Sequence, residues 1–239
     1  MQIPSAEPAP SAALLALIPA YNEAAHISGV VRAARQYLPV LVIDDGSTDD
    51  TAALARAAGA QVFLQNPNQG KGAALLRGLS IALQEGAEAV ITLDADGQHD
   101  PAEIPAFLQR RAETGADLII GKRNFRHMPP VRRLSNTLGS LLFSWAAGQP
   151  IADNQSGYRL IGQRLMRRLV EQPGNERGFE FEVEMIVRCI QHGLKLDWVE
   201  IRTIYAGEKS HIRPLAHLAG FLQVCWRTRK LLRDRQRKA

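Results

Sequence analysis

The sequence predicts an α/β fold, a mostly parallel sheet flanked by helices on both faces. Three observations predict it. Short runs rich in Val, Ile and Leu recur through the first 120 residues. Stretches with apolar residues at three- and four-residue spacing lie between them, and each short run ends at Pro, Asp, Asn or Gly. Strand–helix–strand repetition of this kind is resolved by crossover connections, and these give parallel pairing.

In order, Leu14–Ile18, Val40–Ile43, Gln61–Leu64, Ala89–Leu93 and Asp117–Ile120 read as strands. Glu23–Tyr37, Thr48–Ala58, Gly70–Glu85 and Pro101–Thr114 read as helices, composed largely of good helix formers. Pro101 suits a first helical turn, and Asp100 before it suits an N-cap. After Gly121 the pattern changes. Pro129-Pro130 precedes a helical stretch over Val131 to Ala147, and Asp153 to Leu160 is a polar loop or short strand. Gly178 to Gln191 reads as a helix, Lys195 to Ile204 as a strand and Pro214 to Arg233 as a terminal amphipathic helix. The expected organisation is a flexible Pro- and Ala-rich segment over residues 1–12, one domain over 13–212, and a basic helix and tail over 213–239.

Bulk properties narrow the function. With 239 residues, 46% of them apolar, the chain can bury a sizeable core and is not a disordered protein. Two cysteines, Cys189 and Cys225, make no disulfide framework and read as reduced thiols of a cytosolic protein. No Cys/His cluster has zinc spacing. The apolar run Ala12 to Ile18 lacks a basic leader and is too short to span a bilayer, so a soluble or monotopic protein is expected. Trp226 to Ala239 carries seven Arg/Lys against one Asp, a balance of +6. The whole chain is +5, so everything before Trp226 sums to −1. The basic pI of 9.5 belongs to the tail, and no nucleic-acid partner is implied.

The polar clusters fall where the predicted strands end, the edge at which open parallel sheets hold ligands. Asp94-Ala95-Asp96-Gly97-Gln98 places two carboxylates two residues apart, with an amide oxygen next. Such an oxygen-only set suits Mg²⁺ or Mn²⁺, which offsets charge on a departing diphosphate. The alternative is a solvated turn. Asp44-Asp45-Gly46-Ser47-Thr48-Asp49 follows a strand, with Ser47 or Thr48 expected to cap the next helix. The Asp45 carboxylate is a candidate for ribose hydroxyls or a base. Tyr21 can border a base and Glu23 can accept from its N–H edge, or Glu23 is only a favourable charge in a helix's first turn. Lys71, in Asn68-Gln69-Gly70-Lys71-Gly72, opens a helix where phosphate is favoured, without the spacing of a Walker loop.

Together Ile18-Pro19-Ala20-Tyr21-Asn22-Glu23, Val42-Ile43-Asp44-Asp45-Gly46-Ser47-Thr48-Asp49, Gly70-Lys71-Gly72 and Asp94-Ala95-Asp96-Gly97 resemble family 2 glycosyltransferases, the inverting class with the Rossmann-like GT-A fold. Asp153-Asn154-Gln155-Ser156-Gly157-Tyr158-Arg159, Gly178-Phe179-Glu180-Phe181-Glu182, Ile204-Tyr205 and Gly207-Glu208-Lys209-Ser210-His211 are similar to the dolichol-phosphate mannose and glucose synthase group. The resemblance implies that Pro19, Tyr21, Glu23 and Asp45 hold the nucleoside, and that Asp94, Asp96 and Gln98 carry the metal. It places Arg123 on phosphate of donor or acceptor, Arg133 and Ser135 on an acceptor phosphate, and Lys209 over the donor. Asp153 sits where the wider family often has a base. A hydroxyl acceptor needs one, whereas a polyprenyl phosphate is already an oxyanion. In the second case Asp153 is structural, bonded to backbone or to Arg159. The implied reaction is a single displacement with inversion, moving a hexose from a GDP-mannose or UDP-glucose type donor to a polyprenyl or dolichyl phosphate.

Three other readings stand beside it: a hydroxyl acceptor on a lipid or glycan, a non-catalytic nucleotide-sugar-binding module at a membrane, and a dehalogenase-like phosphohydrolase, against which Gln98 counts. Leu215, Leu218, Ala219, Leu222 and Trp226 form one apolar face ahead of Arg227, Arg229, Lys230 and Arg233. This predicts contact with an anionic membrane surface on the cytoplasmic side, or packing of that face on the domain. Leu138 to Trp145 is a second candidate, as a lipid-chain groove or as core. The sequence names no protein partner.

Overall fold

The structure, a computed structural model, describes residues 14–123, 130–172, 180–202, 222 and 224–233. In chain order the elements are β1 (Leu14–Ala20), α1 (Ile27–Ala34), β2 (Val40–Asp44), α2 (Thr51–Ala57), β3 (Gln61–Leu64), α3 (Lys71–Gln84), β4 (Ala89–Thr92), α4 (Ile104–Thr114), β5 (Leu118–Arg123), α5 (Pro130–Ala147), β6 (Arg159–Gly162), α6 (Gln163–Glu171), α7 (Glu180–Gln191) and β7 (Leu196–Ile201). A last helix, α8, covers 224–233.

The strands form one sheet in the order β3-β2-β1-β4-β6-β5-β7. β6 alone runs against its neighbours β4 and β5, and the other pairs are parallel. The central strands are buried on both faces, hence their continuous apolar runs. One face is covered by α1, α2 and α4, through Ile27, Val31, Ala55, Ile104 and Phe107. The other is covered by α3, α5, α6, α7 and α8, through Leu79, Phe143, Met166, Ile186 and Cys225. α3 lies directly on β1 because residue 78 is glycine: a Cβ there would stand 2.3 Å from Leu17 Cδ1.

The helix starts differ from the sequence expectation for a physical reason. α1 begins at Ile27 rather than Glu23 because the loop ahead of it is engaged elsewhere. Asn22 is left-handed (φ 54°), its N–H donates to Ser47 Oγ at 2.9 Å, and the Glu23 N–H donates to Thr51 Oγ1 at 2.8 Å. Ser47 and Thr48 therefore do not cap α2, which starts at Thr51; Asp49 Oδ1 accepts the Thr51 N–H at 3.0 Å. Asp100 does act as the expected cap, accepting from Ala102 N at 2.9 Å. The stretch 153–160 resolves into a loop followed by β6, and α6 was not anticipated. Among the described residues no helix is long and apolar enough to cross a membrane.

Candidate active site

β1 and β2 are paired with Ala20 opposite Asp44, which sets their following loops side by side. Pro19 is buried inside β1, while Tyr21 stands 49% exposed at the rim. Glu23 Oε2 lies 3.2 Å from His26 Nδ1. Asn22 Oδ1 accepts the Thr48 N–H at 2.8 Å, fastening the two loops together.

Asp44 and Asp45 are both buried, and the chain itself supplies their donors. Asp44 accepts from the Ser47 N–H and hydroxyl. Asp45 accepts from Gln65 Nε2 at 2.7 Å, from Gln69 N at 2.9 Å and from Gly70 N at 2.7 Å. Its carboxylate thereby shapes the turn that leads into α3, whose first residue is Lys71.

Lys71 joins two distant carboxylates. Its Nζ lies 2.6 Å from Asp94 Oδ1 and 3.1 Å from Glu182 Oε1. Burial works against the Lys71 ammonium, but Asp94 and Glu182 outweigh it and hold its pKa above the ordinary lysine value. Burial likewise raises the Asp94 carboxyl, yet Lys71 and then His99 overcome this and bring it to about 2. His99 Nδ1 accepts the Asp94 N–H at 3.0 Å, and its ring stacks on Tyr158 at 5.0 Å. Nδ1 must be unprotonated to accept, and burial lowers the His99 pKa accordingly. Ala95 is buried, and Asp96 Oδ1 accepts the Gln98 N–H at 2.9 Å.

The loop before β6 lies against this centre. A Cβ on Gly157 would stand 3.1 Å from Lys71 Nζ and 3.2 Å from both Asp94 carboxylate oxygens, so any side chain there would press on the ends of both. Thr92 Oγ1 donates to Gly157 O at 2.7 Å, tying that loop to β4. The fully buried Arg159 donates through Nε to Ser156 O (2.7 Å), through Nη2 to Asn154 O (3.1 Å) and through Nη1 to Glu182 O. Burial pulls its pKa down to about 10.

Arg123, at the end of β5, makes a bidentate pair with Asp153: Nε to Oδ2 at 2.7 Å and Nη2 to Oδ1 at 3.0 Å. Gln155 N and Ser156 N also donate to Asp153 Oδ1. Asp153 is thus bonded to backbone amides, and its guanidinium partner is Arg123 and not Arg159.

Lys71, Asp94, Arg123 and Asp153 gather at the carboxyl edge of the sheet, with the Tyr21 and Asp45 loops beside them. Arg133 lies exposed near the start of α5. The Ser135 side chain and Lys209 lie outside the described residues, as do Gly178-Phe179, Ile204-Tyr205 and Gly207 to His211. The sequence alone assigned no role to His99, Gly157 or Glu182, and offered Arg159 only as a partner of Asp153, where it instead holds the backbone carbonyls of Asn154, Ser156 and Glu182. For Glu182 a signal existed: it falls on the same helical stripe as the buried Met185, Ile186 and Cys189, where a charge needs a partner. Among the described residues no cluster of three or more His, Cys, Asp or Glu is grouped for a metal. The carboxylates of Asp94 and Asp96 are hard oxygen donors of the kind Mg²⁺ or Mn²⁺ takes, with the Lys71 ammonium occupying Asp94 Oδ1 at 2.6 Å.

The fold is that of glucosyl-3-phosphoglycerate synthase from Mycobacterium tuberculosis, a GT-A enzyme solved with Mn²⁺, uridine diphosphate and glucosyl-3-phosphoglycerate. The likeness has a TM-score of 0.66 at 23% identity, covering 91% of this chain and 78% of that one. Among proteins similar in sequence is the polyprenol monophosphomannose synthase of Mycolicibacterium smegmatis, 29% identical over 80% of this chain and 77% of its own length. Another is the undecaprenyl-phosphate mannosyltransferase of Micrococcus luteus, 29% identical over 79% of this chain and 82% of its own. A third is the UDP-N-acetylglucosamine–dolichyl-phosphate N-acetylglucosaminyltransferase of Methanococcus voltae, 29% identical over 86% and 90%. The profile of glycosyl transferase family 2 matches residues 16–171, from β1 to the end of α6. With that match running through every loop of the site up to Arg159, the chain is a glycosyltransferase and belongs to family 2.

Proposed function

We propose that this enzyme moves a hexose from a nucleotide sugar, of the GDP-mannose or UDP-glucose type, to a polyprenyl or dolichyl phosphate, with inversion at the anomeric carbon. The observation that carries the acceptor class is the state of Asp153. It is 1% exposed, and both its oxygens already accept from Arg123 and the following amides. A carboxylate so engaged is badly placed to take a proton from an attacking hydroxyl, whereas a phosphate oxyanion attacks without a base. The names of the relatives from Mycolicibacterium smegmatis, Micrococcus luteus and Methanococcus voltae support the same acceptor class.

In this reading Pro19, Tyr21, Glu23 and the loop shaped by Asp45 hold the nucleoside, and Asp94, Asp96 and Gln98 hold Mg²⁺ or Mn²⁺. The cation supplies the positive charge that a leaving nucleoside diphosphate needs. Lys71, paired with Asp94, keeps a second positive charge at the same edge, and Arg123 offers its guanidinium toward phosphate. Arg133, Ser135 and Lys209 remain part of the proposal as acceptor and donor contacts. The enzyme works as a peripheral protein on the cytoplasmic face of a membrane, where its acceptor resides.

The test is an incubation of the purified chain with Mn²⁺ or Mg²⁺, a polyprenyl phosphate, and labelled GDP-mannose or UDP-glucose in turn. Label entering the lipid phase from one donor, and lost with EDTA and in Asp96→Ala, is the expected result. Metal-dependent binding of a nucleotide sugar without lipid-linked product would sink the phosphate-acceptor reading and turn the search to hydroxyl acceptors.

A further inference from the structure

Two helices leave large apolar side chains in water on one flank of the molecule. On α5, Leu138, Leu141, Leu142 and Trp145 recur at three- and four-residue spacing and are 51, 62, 39 and 56% exposed. Phe143, Ala146 and Ala147 on the other side of the same helix are buried in the core. Leu222 and Trp226, one helical turn apart at the C-terminal helix, are 47 and 63% exposed, while Cys225, Thr228 and Leu232 turn inward. Of the expected C-terminal apolar face, Leu222 and Trp226 are thus exposed rather than packed on the domain, and Leu215, Leu218 and Ala219 lie outside the described residues; of the Leu138 to Trp145 stretch, Phe143 is core.

The two exposed rows are joined by one residue. Arg229 Nη1 donates to Trp145 O at 2.6 Å, and its guanidinium lies 4.8 Å over the Trp145 ring. Lys230 stands 5.7 Å over Trp226. Arg227 and Arg233 are exposed on α8, and no residue of 224–233 is acidic. The result is an exposed apolar surface with a tryptophan on each helix and basic residues set among the apolar ones on α8. Such patches on a protein surface mark interaction sites, and tryptophan with basic neighbours matches the headgroup boundary of a bilayer.

We propose that α5 and α8 form a single docking face for an anionic bilayer. Leu141, Leu142, Trp145, Leu222 and Trp226 enter the boundary between headgroups and acyl chains, and Arg227, Lys230 and Arg233 meet lipid phosphates. Arg229 locks the two helices at a fixed angle, so that they engage the surface as one body. Charge selects this occupant over a second copy of the chain: pairing two such faces brings two basic helices together, whereas an anionic surface neutralises them. The face goes beyond the lipid-linked acceptor reading, and depends on it only for its purpose.

The experiment is sedimentation of the full chain with vesicles of phosphatidylcholine alone, or of phosphatidylcholine and phosphatidylglycerol in equal parts. Tryptophan quenching by brominated acyl chains is read in parallel. The expected result is binding to the mixed vesicles only, weakened by salt, with quenching. Leu222→Ser/Trp226→Ser and Arg227→Glu/Arg233→Glu each lose at least about tenfold in partition, with unchanged circular dichroism, since all four residues are exposed. Equal partition of the wild type and both variants overturns the proposal. So does lipid-independent dimerisation that the serine variant abolishes. Turnover of a short, water-soluble prenyl phosphate separates this proposal from the catalytic one. A chain that binds vesicles but transfers no sugar keeps the face and sinks the acceptor, and a chain that transfers but never sediments does the reverse.

Discussion

Arg123 reaches from the end of β5 and closes on Asp153 through two parallel hydrogen bonds, Nε to Oδ2 at 2.7 Å and Nη2 to Oδ1 at 3.0 Å. Planar fork-to-carboxylate pairing of this kind is directional and hard to replace. Asp153→Asn removes the charge that neutralises Arg123 and lowers stability by about 2 kcal/mol in urea unfolding. With a polyprenyl phosphate as acceptor, its kcat/KM keeps the wild-type dependence on pH. A fall of about 10²- to 10⁴-fold is the signature of a lost general base and would point to a hydroxyl acceptor.

Lys71 is shared between Asp94 and Glu182, and Glu182 is 2% exposed. Lys71→Met leaves a buried carboxylate without its counter-charge, at a cost of about 3 kcal/mol in unfolding free energy. Adding Glu182→Leu removes the orphaned charge, so the double variant recovers most of that loss. A double-mutant cycle checks this, with a coupling of about 2 kcal/mol expected and additive losses counting against it.

Gly157→Ala tests how close the loop before β6 must lie to the centre. The new Cβ meets Lys71 Nζ and both Asp94 oxygens at 3.1 to 3.2 Å. These atoms end side chains, so they yield by a few tenths of an ångström and the melting temperature barely moves. Donor turnover falls by about tenfold or more, because reacting groups tolerate little displacement. Calorimetry and a transfer assay on one preparation read both halves.

Both thiols are shielded. Burial pushes Cys189 up to about 12 and Cys225 up to about 11, from an ordinary value of 9.0. At pH 8 the folded chain is expected to react negligibly with a thiol reagent, and the unfolded chain to titrate two thiols. The linkage to stability has a definite sign. Below pH 9 the thiols are protonated in both states and their contribution is fully present. Above pH 9 the unfolded state gives up its protons first, so stability falls toward pH 12. Alkaline unfolding curves of Cys189→Ser check this: the variant loses less stability over that window than the wild type.

How far the sequence could be read depended on whether a residue's partner was local. Leu15 to Ile18, Val40 to Ile43 and Ala89 to Ile91 are buried on both faces, so their apolar runs announce strands directly. Asp100 caps its own turn and was equally plain. Asp45 was recognisable as a carboxylate in need of donors. That Gln65 and the amides of Gln69 and Gly70 supply them depends on the path of the next loop. α6 escaped notice because its apolar stripe is only Leu165, Met166 and Leu169 among four charged residues, three of them arginine. The Lys71–Glu182 and Arg123–Asp153 pairs join segments that no spacing rule connects. The role of Gly157 is visible only as a distance to another part of the chain.

The reversed direction of β6 has a consequence for how the enzyme can diversify. Strands β1 to β4 reach the reactive edge as they leave the sheet, and their loops come from a contiguous stretch of sequence. β6 reaches the same edge as it enters, bringing Asp153 and Gly157 from a later, separate stretch. The edge is therefore written by two independent passages of text. Lengthening or rewording the passage between β5 and β6 changes one side of that edge without disturbing a ladder hydrogen bond among β1, β2, β3 and β4. A lineage built on this plan can rewrite the later passage while the ladders of the first four strands are inherited unaltered.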